Sequence, residues 1–139
     1  MSKETASVNL IRNGDFSNQG KDWHPFPIDG TGVSYEDGCC DLLKVNAYIL
    51  QNVATGTGGS FRFSVKMRTD RLAACQAELS LLPSGTRVTL NLEGNKSWTI
   101  KEFLFEAPAD TNKMIVVLQA NDGETGTKSS FDDVVLERR

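Results

Sequence analysis

The chain of 139 residues has only three cysteines and one histidine, too few for a disulfide framework or for most cysteine- and histidine-based metal centres. Three cysteines cannot form a closed set of disulfides, and a bond between the adjacent Cys39 and Cys40 would be strained. We therefore expect small buried thiols and a reducing compartment. The histidine, His24, precedes Pro25 and has no evident partner, which favours a packing or surface role. A chain of this length can bury a core without such staples.

Long apolar runs and an excess of positive charge are also missing. No apolar run approaches the roughly 20 residues that a bilayer requires. The formal net charge is -3 and the basic residues are scattered, so we expect neither a nucleic acid nor a membrane as partner. Residues 1–7 are polar, lack the apolar stretch of a signal peptide, and are predicted to form a flexible tail. These features leave two expectations for localisation, the cytoplasm or export by a non-classical route.

Recognisable catalytic motifs are absent from the sequence as well. It contains no Gly-rich phosphate loop, Ser-centred elbow, paired-cysteine motif or His–carboxylate metal motif. A glycosidase needs two carboxylates that face each other across a sugar. The 18 acidic residues permit such a pair, but no spacing selects one. We therefore predict a protein that is not an enzyme, and a small hydrolase of unfamiliar type stays open as an alternative.

What the chain does contain is strand-like alternation. Apolar and polar residues alternate with a period of two from Phe61 to Arg68, from Ala77 to Leu81 and from Arg87 to Leu92. Further strand candidates are residues 8–13, 33–37, 41–45, 47–53, 98–106, 113–120 and 130–137. Gly-rich or Pro-containing breaks separate them about every ten residues, as in sandwiches and barrels. The pattern predicts one all-β domain over residues 8–139, a two-sheet antiparallel β-sandwich.

The two ends of the chain carry the most distinctive sequence signals. Near the start stands the block Asn9-Leu10-Ile11-Arg12-Asn13-Gly14-Asp15-Phe16, and near the end Phe131-Asp132-Asp133-Val134. A first strand that ends in an Asn-Gly-Asp turn and a last strand entered through paired carboxylates favour termini that close one β-structure together. Asp15, Asp132 and Asp133 are then predicted to lie near each other.

These blocks, taken in order with Trp23, Tyr48 to Val53 and Phe61 to Arg68, carry a family resemblance. The chain resembles the calcium-containing jelly-roll carbohydrate-binding modules (families 4, 9 and 22 and their galactose-binding-like relatives). The resemblance covers nearly the whole chain. It implies a jelly roll that holds a poly- or oligosaccharide without catalysis, on a concave sheet or on edge loops. It leaves open which glycan is bound, and the sequence gives no specific signal for an oligomer.

The resemblance also implies a structural calcium ion between the first and last strands. Carried over by position, its ligands are the Gly14 carbonyl, Ser17 and Asp132. Calcium takes six to eight oxygen ligands in loose geometry, carbonyls included. Ser17 stands where the family has an acidic residue, so one charged ligand is missing and the site is expected to be weak. The alternative is that Asp15 forms an Asx turn while Asp132 and Asp133 cap loop amides.

A sugar site needs an aromatic platform beside polar groups, because sugar rings present apolar C–H faces and a rim of hydroxyls. The candidate platforms are Tyr35 and Tyr48, which lie in predicted strands, and Trp98, which follows a polar turn. Outward strand positions select as hydroxyl-binding residues Gln51, Arg68, Glu78, Asn91 and Gln119. Trp23 is expected in the core or at its rim. A structural or interaction β-sandwich domain of a larger assembly or toxin is the alternative function.

Overall fold

The computed structural model of the chain describes residues 8–122 and 127–139, without the side chain of Asp122. The predicted tail, residues 1–7, lies outside the described residues. Within them the chain forms ten strands: β1 (His24–Phe26), β2 (Val33–Ser34), β3 (Cys40–Leu42), β4 (Tyr48–Ala54), β5 (Gly59–Thr69), β6 (Ala74–Leu82), β7 (Thr86–Glu93), β8 (Lys96–Ala107), β9 (Lys113–Asp122) and β10 (Ser129–Arg138). No helix able to span a bilayer occurs in this part of the chain.

The strands form two five-stranded antiparallel sheets. Sheet A has the order β1-β4-β9-β6-β7, and sheet B has the order β2-β3-β10-β5-β8. The prediction of an all-β sandwich is confirmed. Strands that are distant in sequence, such as β4 and β9, are neighbours in space, so the sheets alone decide which side chains meet.

The core lies between the inner faces of the two sheets. In β5 the alternating residues Phe61, Phe63, Val65 and Met67 are completely buried, as the period of two predicts. In β9 the alternate residues from Met114 to Leu118 are equally buried. Each such side chain contributes roughly 1.5–3 kcal/mol of stability. Since the inward residues of the central strands are committed to this core, recognition is left to the outward residues and to the edges of the sheets.

Residues 8–13 do not form the predicted strand, and this expectation is wrong. The side-chain amide of Asn9 replaces the backbone ladder: its Nδ2 donates to the Val134 carbonyl (3.0 Å), and its Oδ1 accepts from the Leu136 amide (3.0 Å). The Leu10 amide donates to the Leu136 carbonyl at 2.7 Å, and the Val134 amide donates to the Gly14 carbonyl at 2.9 Å. The two ends of the domain therefore lie side by side, as predicted, but through turns.

Gly14 shows why the Asn-Gly-Asp block needs glycine. A Cβ atom at this position would collide with the carbonyl oxygen of Val134 in β10. Trp23 lies near it in the core, where its Nε1 donates to the Asn13 carbonyl at 3.0 Å and its ring contacts Phe16. The block thus allows the start of the domain to pack closely against its last strand.

Candidate functional site

One row of side chains crosses all five strands of sheet A on its outer face. The strand registers place Phe26 opposite Tyr48, Tyr48 opposite Gln119, Gln119 opposite Gln76, and Gln76 opposite Asn91. Residues directly opposite in antiparallel strands project from the same face and lie within reach of each other. We call these five residues the amide row. Its edge at β1 and β4 is aromatic, and the rest of it consists of carboxamides.

The aromatic end of the amide row is a stacked pair. The rings of Phe26 and Tyr48 have centroids 5.0 Å apart and planes inclined by 16°. Phe26 is 50% exposed, although it is a large apolar residue. Flat apolar ring surface at a solvent-facing strand edge is the feature to which the C–H face of a sugar can pack. Sequence analysis missed Phe26, because β1 is only three residues long and contains Pro25, so no alternation marks it.

Neighbouring side chains hold one carboxamide of the row, that of Gln76, in place. The Asn121 side chain donates from Nδ2 to Gln76 Oε1 at 3.0 Å, and Gln76 Nε2 makes a longer contact of 3.4 Å to Glu78 Oε1. Glu78 is in turn 3.6 Å from the Arg87 guanidinium. Each carboxamide carries both donors and acceptors, and so matches a hydroxyl in either role. The row therefore presents uncharged polar groups next to aromatic rings, with Gln76 positioned by its neighbours.

Only some of the sequence-predicted sugar-binding residues meet on this face. Tyr48 and Gln119 are direct cross-strand partners there. Gln119 connects Tyr48 to Gln76, and Asn91 is the exposed end of the same row. Glu78 projects from the same strand as Gln76, two residues away. These residues come from β4, β6, β7 and β9, which is why no single sequence segment shows the site.

Trp98 and Arg68 lie on sheet B instead. The Arg68 guanidinium is 4.7 Å from the centroid of the Trp98 ring, and the Lys66 ammonium is 5.4 Å from it. Arg68 also donates to Ser130 Oγ at 3.3 Å and lies 3.9 Å from the nearly completely buried carboxylate of Asp41. Both predicted residues are therefore engaged with each other and with groups of sheet B.

The prediction that Gln51 points outward is wrong. Tyr48 starts β4 on the outer face, so the odd-numbered residues of this strand, Gln51 among them, turn inward. Gln51 is completely buried; its Oε1 accepts from the Arg12 amide at 2.8 Å, and its Nε2 donates to the Arg12 carbonyl at 2.9 Å. A buried amide satisfied in this way anchors the N-terminal segment. Because Gln51 is completely buried, a sugar on the surface cannot reach it.

Tyr35 follows β2 at the edge of sheet B. Its ring packs on Phe16 with centroids 5.8 Å apart, and it lines a cleft of about 650 Å³ together with Asp37 and Asp41. Burial raises the pKa of the Tyr35 hydroxyl well above its usual value, with a smaller contribution from Cys40. Tyr35 thus belongs to a cleft of its own, separate from the amide row.

The three cysteines are free and buried, as predicted. Burial raises the pKa of Cys39 to about 12, helped by the nearby Asp41 carboxylate. Burial also raises the pKa of Cys75 to about 12. Since the thiolate is the reactive form, these side chains behave as small apolar groups.

Gly14 and Ser17, two of the predicted calcium ligands, line one cleft where the N-terminal segment meets β10. From β10 this cleft is lined by Asp133, Val134 and Val135, and the third predicted ligand, Asp132, immediately precedes them. Asp15 Oδ1 accepts from the Ser17 amide at 3.0 Å, an Asx-type turn whose hydrogen bonds lower the pKa of Asp15. Asp132 Oδ1 accepts from the Asp133 amide at 2.8 Å. Burial raises the pKa of Asp132, and the charges of Asp133 and Asp15 add to this; the hydrogen bond from the Asp133 amide and the charge of Lys66 oppose it.

Two of the three predicted ligands would offer calcium a neutral oxygen. Residues 8–122 and 127–139 contain no group of three or more His, Cys, Asp or Glu side chains placed to hold a metal ion. The implied set therefore combines one carboxylate, from Asp132, with the Gly14 carbonyl and the Ser17 hydroxyl. Calcium accepts all three oxygen types, and a site with fewer charged ligands binds calcium more weakly. The predicted set thus consists of oxygens that calcium accepts, with a single charged group among them.

Comparison with known structures identifies the fold. No protein-family model matches the chain. A family 61 carbohydrate-binding module, solved in complex with β-1,4-galactotriose, superposes with a TM-score of 0.76 at 15% identity, over 96% of this chain and 100% of that one. A family 16 carbohydrate-binding module gives 0.70 at 22% identity, over 92% and 99%. A family 4 module gives 0.68 at 18% identity, over 93% and 99%. The chain has the fold of these modules, as the resemblance implied.

One curated relative is a much longer protein. The tRNA(Glu)-specific nuclease WapA of Bacillus subtilis subsp. natto (strain BEST195) is 21% identical over 163 aligned residues. The alignment covers 96% of this chain but 7% of the nuclease. The chain therefore corresponds to a small part of that protein, and the similarity does not extend to the rest of its length.

Proposed function

We propose that this domain is a non-catalytic carbohydrate-binding module that holds a glycan along the amide row of sheet A. The observation that carries the proposal is the amide row itself. It sets a stacked aromatic pair and three carboxamides side by side across five strands. An aromatic surface beside groups that both donate and accept hydrogen bonds is the combination that sugar rings require.

The length of the row favours an oligosaccharide over a single sugar. Five neighbouring strands are separated by four spacings of about 4.8 Å, so the row extends over roughly 19 Å. This distance accommodates several linked sugar rings. The glycan would lie across the strands, with one ring packed on Phe26 and Tyr48 and the following rings over Gln119, Gln76 and Asn91. The galactotriose complex of the family 61 module supports β-linked oligosaccharides as the first ligands to test.

A chemical-shift titration tests this proposal directly. Oligosaccharides of β-1,4-galactan, xylan, β-glucan and mannan are added to the labelled domain, and amide shifts are followed. We expect saturable shifts at Tyr48, Gln76 and Gln119. Absence of any saturable response to all four glycans, or shifts confined to the outer face of sheet B, would contradict the proposal.

We further propose that calcium binds weakly where the N-terminal segment meets β10, with the Gly14 carbonyl, Ser17 and Asp132 as ligands. Support comes from the raised pKa of Asp132, which burial causes and the nearby carboxylates of Asp133 and Asp15 increase. A cation bound beside Asp132 would stabilise its negative charge. Bound there, calcium would tie the start of the chain to its last strand and would take no part in sugar contact.

An interaction domain of a larger protein is the second candidate function. The match to a short part of a long nuclease favours it, because it is consistent with a module embedded in a longer chain. This candidate predicts association with a protein partner and no response to any glycan in the titration above.

A further inference from the structure

The amide row does not end on a flat surface, because a cleft of about 460 Å³ opens at its β7 end. Asn91 belongs both to the row and to the wall of this cleft. Asn121, which donates to Gln76 of the row, also lines the cleft. A glycan that follows the row toward β7 therefore reaches the mouth of the cleft.

The cleft collects positive charge from one strand, β8, which begins at Lys96 and also carries Lys101. Lys96 and Lys101 line it, with Glu93 as the opposing charge. The Lys96 ammonium donates to the carbonyl oxygens of Glu93 (2.9 Å) and Gly94 (3.2 Å), which fixes its position over the turn between β7 and β8. Lys101 projects into the cleft from β8 and is partly buried. This local excess of cations occurs in a chain with a net charge of -3.

We infer that the glycan is acidic, and that its carboxylate or sulfate group binds in this cleft between Lys96 and Lys101 while neighbouring sugars occupy the amide row. This inference rests on the proposed function. The Asn91 and Asn121 amides add N–H donors for the same anionic oxygens. Charge-assisted hydrogen bonds from ammonium groups to an anion are stronger than those to a neutral hydroxyl, so the cleft discriminates by charge.

Pairs of polysaccharides that differ only in charge test the inference. Glucuronoxylan is compared with its carboxyl-reduced form, and a sulfated galactan with its desulfated form, by calorimetric titration of the purified domain. We expect the charged member of at least one pair to bind about threefold to tenfold more tightly at low salt. The pair that shows the preference distinguishes a carboxylate from a sulfate. Raising the ionic strength to about 0.5 M should shrink the difference, because the cleft is open to solvent.

Variants locate the effect. Lys101→Gln should abolish the preference for the charged polymer and leave affinity for the neutral polymer unchanged, whereas Lys101→Arg should retain the preference. Lys113→Gln, an exposed lysine at the opposite end of β9 from the cleft, is the matched control and should change neither affinity.

Different results would contradict the acidic-glycan inference and the proposed function. Equal affinity for the charged and neutral members of both pairs would overturn the acidic-glycan inference and leave carbohydrate binding standing. An equal loss for both members in Lys101→Gln would likewise overturn it, since the lysine would then act without regard to charge. Binding of none of the four polymers would overturn the acidic-glycan inference, and the proposed function would fall with it if the oligosaccharide titration also showed no saturable response.

Discussion

The outer faces of the two sheets have similar alternation in sequence but opposite chemistry in space. On sheet B, Arg62 forms ion pairs with Glu102 at 2.7 Å and with Glu137 at 2.8 Å, across β5, β8 and β10. On sheet A, the amide row sets aromatic rings beside uncharged carboxamides. Sheet B thus carries an ion-pair network across three neighbouring strands, whereas sheet A carries a row of aromatic and carboxamide groups that match sugar rings and hydroxyls. The comparison teaches that the residue types which the strand register brings together, and not alternation alone, decide what an outer face can bind.

The largest expected effect is on glycan affinity, and it is measured by removing one aromatic ring from each face. Tyr48→Ala should weaken glycan binding about tenfold or more, which corresponds to about 1.4 kcal/mol, because it removes half of the stacked pair. Trp98→Ala should leave affinity unchanged, because its ring is occupied by Arg68 and Lys66 on sheet B. Calorimetric titration measures both.

Folding controls accompany the ring variants. Tyr48→Phe keeps the ring and should retain most of the affinity, and Tyr48→Ala should lower the free energy of unfolding by no more than about 1 kcal/mol, the value of one aromatic pair. A loss of affinity in Trp98→Ala equal to that in Tyr48→Ala would mean that the glycan contacts sheet B as well, and the contrast between the faces would fail.

The next effect concerns stability instead of affinity. Arg62→Ala should lower the free energy of unfolding by about 1 kcal/mol, because Glu102 and Glu137 lose their shared cation on a partly exposed face. Its counterpart on sheet A, Gln119→Ala, should leave stability nearly unchanged and weaken glycan binding about threefold or more. Denaturant unfolding and titration of both variants check this. Reversal of the two phenotypes would show that the faces have been assigned the wrong roles.

A smaller effect is expected from calcium, which would act at the Asp132 end of β10 in sheet B. Millimolar calcium should raise the unfolding temperature by about 3 °C relative to chelator, as expected for a weak ligand that binds only the folded chain. Magnesium, which demands stricter geometry, serves as the control and should do less. Thermal unfolding at identical temperatures with calcium and with chelator would dispose of the metal site.

The smallest effect is the pH dependence of Asp132. Its pKa is raised above the ordinary 3.8 in the folded chain, so the folded state holds its proton more tightly than the unfolded state. The associated stability is present below pH 3.8 and is lost as the pH rises through the folded pKa. In chelator, Asp132→Asn should therefore be at least as stable as the unaltered protein at pH 7.

The same variant links the pH effect to the metal site. The stability difference between Asp132→Asn and the unaltered protein should vanish at low pH, and calcium should stabilise only the unaltered protein. Thermal unfolding from pH 3 to pH 7, with and without calcium, measures both dependences. A variant that is destabilised in chelator at neutral pH would show that the Asp132 charge is favourable by itself.

Much of the fold was predictable because burial imposes a period of two on each strand. The alternation of β5, β6 and β7 gave their positions and their inward residues correctly. The prediction failed at residues 8–13, where the Asn9 side chain makes the hydrogen bonds that a strand backbone would make. It also failed at Gln51, because a polar residue at an inward position looks like an outward one until its partner, the Arg12 backbone, is known.

The candidate site was less predictable, because its residues come from five strands. Tyr48 and Gln119 were selected for their types and strand positions, but Phe26 escaped notice in a strand too short to show a pattern. Trp98 and Arg68 have equally suitable side chains, yet they meet each other on the opposite sheet. Residue type therefore identified candidates, and strand register sorted them.

By itself the sequence determined which residues of each strand face inward and that the two ends of the domain would meet, because both follow from local alternation and from short blocks. Only the tertiary structure decided which strands share a sheet, and thereby which outward residues form one row. That decision depends on pairing between segments far apart in the chain, where hydrogen bonding and core packing act together and local pattern carries no information.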